Sequence, residues 1–514
     1  MHQVFRQMRT ESTKKSITTA LAVSLLFAFL INACTIVPGL SLPTPTPSPT
    51  ATVTPTSTPT PLPEGYVEYI SQSGDTLEVI ARHFGVGVGQ IIDISDRRSS
   101  LMIDPGTHFL VKDTLGETTR PDILFPDSAI VYSPVAVQFD PVVFTEKQTG
   151  FIKTYTETMT RGATSAAQII FELGRDYSIS PQILLAFMEY ESGWLSNPKP
   201  TGDQLSYPMG WKKSDRTSVY FQTGWVIKQL TRGYYLWRIG TLTELAFPDG
   251  STLRLSPHLN AGTVAVMYAL AQLHNRAEWE QALYGEHNLV SVYAQYFGDA
   301  FENGKGVDPL FPAGLQQPEL NLPFPVNEVW NLTGGPHTAW GSGWDNDGSL
   351  AALDFAPPLN SPGCGNSTHY ATAMAAGRVV RAGGGVVVLD LDMDGYEQTG
   401  WVLVYMHIAN SDRVQVNDIL AEDDLIGHPS CEGGSSSGIH VHVARKYNGE
   451  WVEADGGLPF VMSGYRAHNG EDYYEGTLEN GATTVVANTA GNYWTRIIRP
   501  ESREEFFYTP TPRK

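Results

Sequence analysis

Two kinds of hydrophobic spacing divide this chain. Between about residues 146 and 305, apolar positions recur at helical intervals, as in Ala166-Ala167-Gln168-Ile169-Ile170, Ile183 to Met188, Val264 to Leu270, and Leu289-Val290-Ser291-Val292-Tyr293. Ser180-Pro181 supplies a helix start, with the serine as N-cap and the proline at the first helical position. From about residue 326 the pattern turns to β-branched runs between glycine-rich turns: Gly377-Arg378-Val379-Val380, Gly385 to Leu389, Trp401 to Met406 and Ile439 to Val443. Such runs predict an antiparallel, sandwich-like sheet. Residues 65–113 read as a smaller unit: a strand from Tyr66, helical stretches through Ile80 to Phe84 and through Ile91-Ile92, and a strand at Phe109-Leu110-Val111. A connector over 114–145, with strand character at Ala129 to Tyr132, and a proline-rich linker over 306–325 separate the three. The predicted architecture is therefore multidomain. It has a small αβ module at 65–113, a mostly α middle domain at 146–305 and a C-terminal all-β antiparallel domain at 326–475, with further strands in 476–514.

The amino terminus changes that picture. A basic start (Arg6, Arg9, Lys14, Lys15) precedes the apolar run Ala20 to Ile31, which is too short for a comfortable membrane span and reads as an export signal. The cysteine after Ile31-Asn32-Ala33 resembles a bacterial lipobox. That resemblance implies a signal peptide over 1–34, lipidation of Cys34, and a protein anchored at the outer face of the membrane in the cell envelope. Residues 35–64 are nearly all Pro, Thr and Ser, which favours an extended spacer of roughly 3 Å per residue. Across 514 residues the formal charge of -20 excludes nucleic acid as a natural partner, because no basic face is present to neutralise phosphates. Cys364 and Cys431 are the remaining cysteines, and in an exported chain they are expected to form one disulfide clamping two loops.

Candidate chemistry concentrates in the β-rich part. His440 and His442 flank Val441, and in an extended strand residues i and i+2 share a face, so both imidazoles enter one site. His407 ends another strand and Asp354 a third. Histidines with one carboxylate are the ingredients of a catalytic zinc site. Asp390-Leu391-Asp392-Met393-Asp394-Gly395 imitates the start of a calcium loop, but Trp401 stands at the twelfth position, so the segment reads as a polar hairpin turn.

Residues 326–475 resemble the LytM/lysostaphin-type zinc metallopeptidases and, among them, the β-lytic metalloendopeptidase group. The residues that carry this are Cys431-Glu432-Gly433-Gly434-Ser435-Ser436-Ser437-Gly438 before His440-Val441-His442, with Ser349 to Phe355 and Tyr405-Met406-His407. The commoner pattern places a ligand histidine four residues before the aspartate, where this chain has Leu350; the β-lytic group draws it from upstream, and Gly334-Gly335-Pro336-His337 fits. The resemblance implies one zinc per chain on His337, Asp354 and His442. It gives His407 and His440 the task of activating water and stabilising the oxyanion, with peptidoglycan stem or cross-bridge peptides as substrate. The Leu350 departure keeps a catalytically silent wall-binding protein open as an alternative.

Two further resemblances complete the reading. Gly74-Asp75-Thr76-Leu77, Ile80-Ala81 and Pro105-Gly106 resemble a LysM module, which implies glycan binding in a groove lined by Gly74, Asp75, Thr76, Asp104, Pro105 and Gly106. Glu189-Tyr190-Glu191-Ser192-Gly193-Trp194 resembles the start of a lytic transglycosylase domain, which would make Glu191 a glycan-cleaving acid and the enzyme bifunctional.

Overall fold

The β-branched pair Ile91-Ile92, expected in a helix, lies in a strand, and this correction sets the shape of the first module. The computed structural model describes residues 62–93, 101–341, 348–358, 363–365, 367–481 and 483–501; the export signal, Cys34 and the spacer up to residue 61 lie outside the described residues. Strand β1 (Tyr66–Ile70) leads to α1 (Leu77–Phe84), a single 3-10 turn, β2 (Ile91–Asp93) and β3 (His108–Lys112), with β3 paired between the other two. Gly85 ends α1 with a φ of 66°, and Gly87 and Gly89 follow, so no second helix propagates there. Tyr69, Ile80, Phe84, Ile103, Phe109 and Val111 form this module's own small core.

Helices fill the middle of the chain. They are α2 (Asp127–Ile130), α3 (Ala166–Tyr177), α4 (Pro181–Ser192), α5 (Val219–Arg238), α6 (Ala261–Ala271), α7 (Arg276–Tyr284) and α8 (Leu289–Phe297), with shorter helical turns between them. Ser180 caps α4 as expected, accepting from the Gln182 amide ahead of Pro181. The strand expected at Ala129 to Tyr132 is instead the short, wholly buried helix α2, and only Val131 makes a β-bridge, to Ile179. Packing against α6 overrides the β propensity there: Asp127 Oδ1 accepts from the Gly262 amide and from the Asn260 side chain. Helix α5 escaped the pattern reading because Gln222, Thr223 and Thr231 occupy its buried side. It lies against α6 at Gly233, where a Cβ would stand 2.8 Å from the Ala265 Cα, so only glycine permits that approach.

Beyond the linker come β4 (Val329–His337), β5 (Ala352–Ala356), β6 (Gly377–Gly383), β7 (Val386–Asp390), β8 (Trp401–Met406), β9 (Ile419–Leu420), β10 (Val441–Tyr447) and β11 (Glu450–Trp451). Then follow β12 (Val461–Met462), β13 (Tyr465–Asn469), β14 (Gly476–Asn480), β15 (Thr483–Val486) and β16 (Arg496–Ile498). The large antiparallel sheet runs β9-β6-β7-β8-β10-β5-β4-β16, with β11 paired to β10, while β12 to β15 form a second sheet of four. Asp390 to Gly400 is the turn of the β7–β8 hairpin, as its polar sequence suggested.

Both faces of the large sheet are buried, which explains why its strands read as continuous apolar runs. Leu353, Phe355, Leu403, Tyr405, Val441 and Val443 pack towards the second sheet. Ala352, Val402, Val404, Met406 and Ala444 pack towards the helices. Alternation therefore sends Asp354 and His442, each two residues from an alanine of the second set, to the helical side. From Leu62 onward the chain is one compact unit. Its regions meet at Arg238 on α5, whose guanidinium donates to Asp127 at 2.8 Å, to Glu450 on β11 at 2.8 Å and to the Ser73 carbonyl of the small module.

Candidate active site

Three antiparallel strands bring the candidate ligands together. His442 on β10 stands opposite Asp354 on β5 in register, and β4, the next strand, delivers His337 at its end. The register of β4 against β5 shifts on either side of Gly334, and a Cβ at Gly334 would lie 2.7 Å from an Asp354 carboxylate oxygen. Glycine at that position lets the two strands close up around the carboxylate.

Hydrogen bonds fix which nitrogen of each imidazole faces inward. The Nδ1 of His337 donates to the Gly335 carbonyl at 2.8 Å, and the Nε2 of His442 donates to the Ala339 carbonyl at 3.0 Å. A carbonyl only accepts, so the opposite nitrogens, Nε2 of His337 and Nδ1 of His442, turn towards each other and towards Asp354. Those two atoms are 3.1 Å apart, and Asp354 Oδ1 lies 3.4 Å from the first and 3.2 Å from the second. Oδ1 is buried and accepts no hydrogen bond.

His337, Asp354 and His442 can each offer one ligand atom to a cation placed between them. Ligands at 2.0–2.1 Å from a tetrahedral ion are about 3.3 Å from each other, which matches the observed triangle. The donor set of two neutral imidazoles and one carboxylate fits a metal, and these three residues are the ones that would hold it.

His407 and His440 stand beside this triangle. His440 Nε2 is 3.7 Å from Asp354 Oδ1, and the His407 ring lies 4.4 Å from the His440 ring. Each donates its Nδ1 proton to a carbonyl at 2.8 Å, of Glu432 for His407 and of Gly438 for His440, so each turns a bare Nε2 inward. Burial, with the neighbouring rings of His440 and His442, pushes the His407 imidazole down to about 4. His407 also holds a φ of 62°, a left-handed conformation that costs a non-glycine residue about 1 kcal/mol or more and that ends β8.

The other sequence candidates lie elsewhere. Leu350 has a φ of 43°, accepts the Ala454 amide and takes no part in the cluster. Cys364 and Cys431 are joined in the expected disulfide. Asp390, Asp392 and Asp394 gather their carboxylates in the β7–β8 turn, where each accepts backbone amides of that turn. Glu191, at the end of α4, pairs with His274 at 2.9 Å and lies outside the histidine cluster.

The expected glycan groove needs correction. The Asp75 carboxylate is buried, held by the Tyr69 hydroxyl at 2.6 Å and the Gln72 amide at 2.8 Å, because a polar group in that core must find internal partners. Thr76 caps α1, and Gly74 lies under the Arg238 side chain. Asp104 accepts the Gly314 amide and Ser73 the Phe311 amide, so the stretch after the helical region crosses the two loops. Pro105 is half-buried and Gly106 exposed.

Tyr474 is the site residue that pattern reading missed. Its ring stacks on His337 at 4.1 Å, and its backbone carbonyl accepts the Gly335 amide at 2.8 Å. It comes from the turn before β14, far from the motifs in sequence.

A profile described as "LasA, N-terminal domain" matches residues 123–310, which hold the helices. Protease LasA of Pseudomonas aeruginosa is 26% identical over 71% of this chain and 82% of its own length, so the similarity runs through helices and sheet together. The chain is a metalloendopeptidase. Its similarity to Protease LasA is joined by that to the beta-lytic metalloendopeptidase of Lysobacter enzymogenes, 28% identical over 30% of this chain and 80% of the relative. Among solved structures, the M23 metalloprotease pseudoalterin shares 25% identity over 36% of this chain and 99% of its own, with a TM-score of 0.29. Among the described residues of this metalloendopeptidase, no helix is long and apolar enough to cross a membrane.

Proposed function

We propose that this protein is a zinc-dependent endopeptidase that hydrolyses peptide bonds in the stem or cross-bridge of peptidoglycan, with zinc held by His337, Asp354 and His442. The gathering of His337 Nε2, His442 Nδ1 and the buried Asp354 Oδ1 within hydrogen-bond reach of one another supports this reading above all else. Zinc in that position supplies Lewis acidity, lowering the pKa of water to about 7 and polarising a scissile carbonyl.

The chain's own residues supply the rest. His440, with Nε2 turned inward, accepts the proton of the attacking water and passes it to the leaving amine, a role worth typically 10²- to 10⁴-fold. His407, with its Nδ1 proton given to the Glu432 carbonyl, turns Nε2 towards the same space and accepts a hydrogen bond that orients the attacking water. The carbonyls of Gly335, Ala339, Gly438 and Glu432 lock all four rings, so no reorientation is needed during reaction.

Attachment through a lipid on Cys34 and wall contact through residues 66–112 belong to the same reading. Glycan binding at the two loops would first require Asp104 and Ser73 to release the Gly314 and Phe311 amides.

The test measures metal content of the full chain together with release of new amino termini from peptidoglycan. About one zinc per chain, with release abolished by chelator and by Asp354→Ala, is the expected result. Folded protein that neither binds zinc nor releases amino termini would leave a wall-binding role in its place.

A further inference from the structure

We propose that the Cys364–Cys431 disulfide positions the His407–His440 pair, so that cleavage depends on this bond being closed while metal retention does not. The inference rests on the reading of the site given above.

The metal ligands and the proton-handling histidines are held by different means. His337, Asp354 and His442 lie on hydrogen-bonded strands of the large sheet. His407 lies one residue beyond β8 and His440 one residue before β10, so neither ring is fixed by a regular strand ladder. Residues 430–440 form an arch that holds both. At its start, the Ser430 amide donates to the His407 carbonyl at 2.6 Å, and the Ser430 hydroxyl donates to the same carbonyl at 3.1 Å. Glu432 then receives the His407 Nδ1 proton on its carbonyl, while its carboxylate accepts the Asn410 amide at 3.1 Å. At its end, Gly438 receives the His440 Nδ1 proton.

Cys431 stands between Ser430 and Glu432, the two residues that grip His407. Its disulfide ties this point to Cys364, and the adjoining Gly363 carbonyl accepts the Ile439 amide at 3.3 Å, next to His440. The crosslink at Cys431 and the hydrogen bond at Ile439 therefore tie both ends of the arch to the same loop, and an isolated β-bridge joins Ser430 to His440. Opposite the arch, a Cβ at Gly385 would meet the Gly433 amide at 2.4 Å, so only this backbone placement fits. The arch is otherwise rich in glycine and serine (Gly433-Gly434-Ser435-Ser436-Ser437-Gly438), a composition with high conformational entropy once the crosslink opens. A displacement of about 1 Å at a reacting group costs on the order of 100-fold in rate.

The bond is open to reagents, since Cys364 is exposed and Cys431 half-buried. A trialkylphosphine cleaves it in balance: phosphorus takes the oxygen of water and becomes the phosphine oxide, the S–S bond takes the electron pair, and the two water protons complete two thiols.

The experiment compares the full zinc-loaded chain before and after phosphine reduction, and the Cys364→Ser/Cys431→Ser double variant. Zinc per chain, kcat, KM and the Nδ1–H proton resonance of His407 are followed. On opening, kcat falls about 100-fold with KM nearly unchanged and zinc retained, the resonance shifts or broadens, and reoxidation of the reduced wild type restores both. Unchanged kcat and resonance with two free thiols overturns the proposal, and so does loss of zinc in step with activity, which would make the bond merely structural. If the closed wild type shows no chelator-sensitive cleavage, the peptidase reading itself fails; the His407 resonance then still decides whether the disulfide positions the ring.

Discussion

Asp354 and His442 face each other across adjacent antiparallel strands, with the carboxylate Oδ1 3.2 Å from the imidazole Nδ1. This pair, with His337 as the third member, is the proposed seat of the cation. Asp354→Asn removes the charge and keeps the shape. It is expected to abolish stoichiometric zinc binding and reduce cleavage to background, checked by metal analysis beside the rate of amino-terminus release.

His440→Ala separates binding from chemistry. With all three proposed ligands in place, zinc stays at about one per chain while kcat falls by roughly 10²- to 10⁴-fold. Metal loss in this variant would show that His440 is itself a ligand.

Tyr474 acts on the metal through His337. Because its ring stacks on that of His337, Tyr474→Ala is expected to weaken zinc affinity by about 10- to 100-fold, read by competition with a chromogenic chelator. Tyr474→Phe keeps the ring and is expected to keep the affinity.

Arg238 holds three parts of the chain together from a nearly buried position. Arg238→Met leaves Asp127 and Glu450 without their cation in a dry junction, and equilibrium denaturation is expected to show a loss of about 3–5 kcal/mol. Additional replacement of Glu450 by Gln is expected to recover part of that loss, because one uncompensated charge is gone.

Asp75 gives the protein an acid-side stability term. Burial raises its carboxyl from 3.8 to about 6, so between those values the folded state holds a proton that the unfolded state has released. Its contribution is therefore fully present below about pH 4 and is lost as pH rises through about 6, amounting to about 3 kcal/mol. Asp75→Asn retains an acceptor for Tyr69 and Gln72 and is expected to flatten the stability profile between pH 4 and 6. An unchanged slope in thermal melts across that range would contradict this.

Much of the site could be read from the chain because its parts are local. The His440-Val441-His442 spacing, the strand ending in His407 and the Leu353-Asp354-Phe355 alternation each fix a direction through a period of two. The helices α3, α4, α6 and α8 were legible for the same reason, since their apolar positions repeat along a few turns.

Tertiary structure decided the rest. Pattern reading by itself could not bring His337 to the metal triangle: that depends on a register shift at Gly334 between strands 15 or more residues apart in sequence. Nor could it find Tyr474, which comes from a turn of the second sheet and meets His337 at the end of β4, far away in sequence. Ile91-Ile92 and Ala129 to Tyr132 took the opposite secondary structure from the one expected, because short segments follow their neighbours' packing rather than their own propensity. Asp75 looked like a groove residue and became a buried hydrogen-bond hub. Local periodicity determined which residues share a face; only the assembled sheets and helices determined which faces meet.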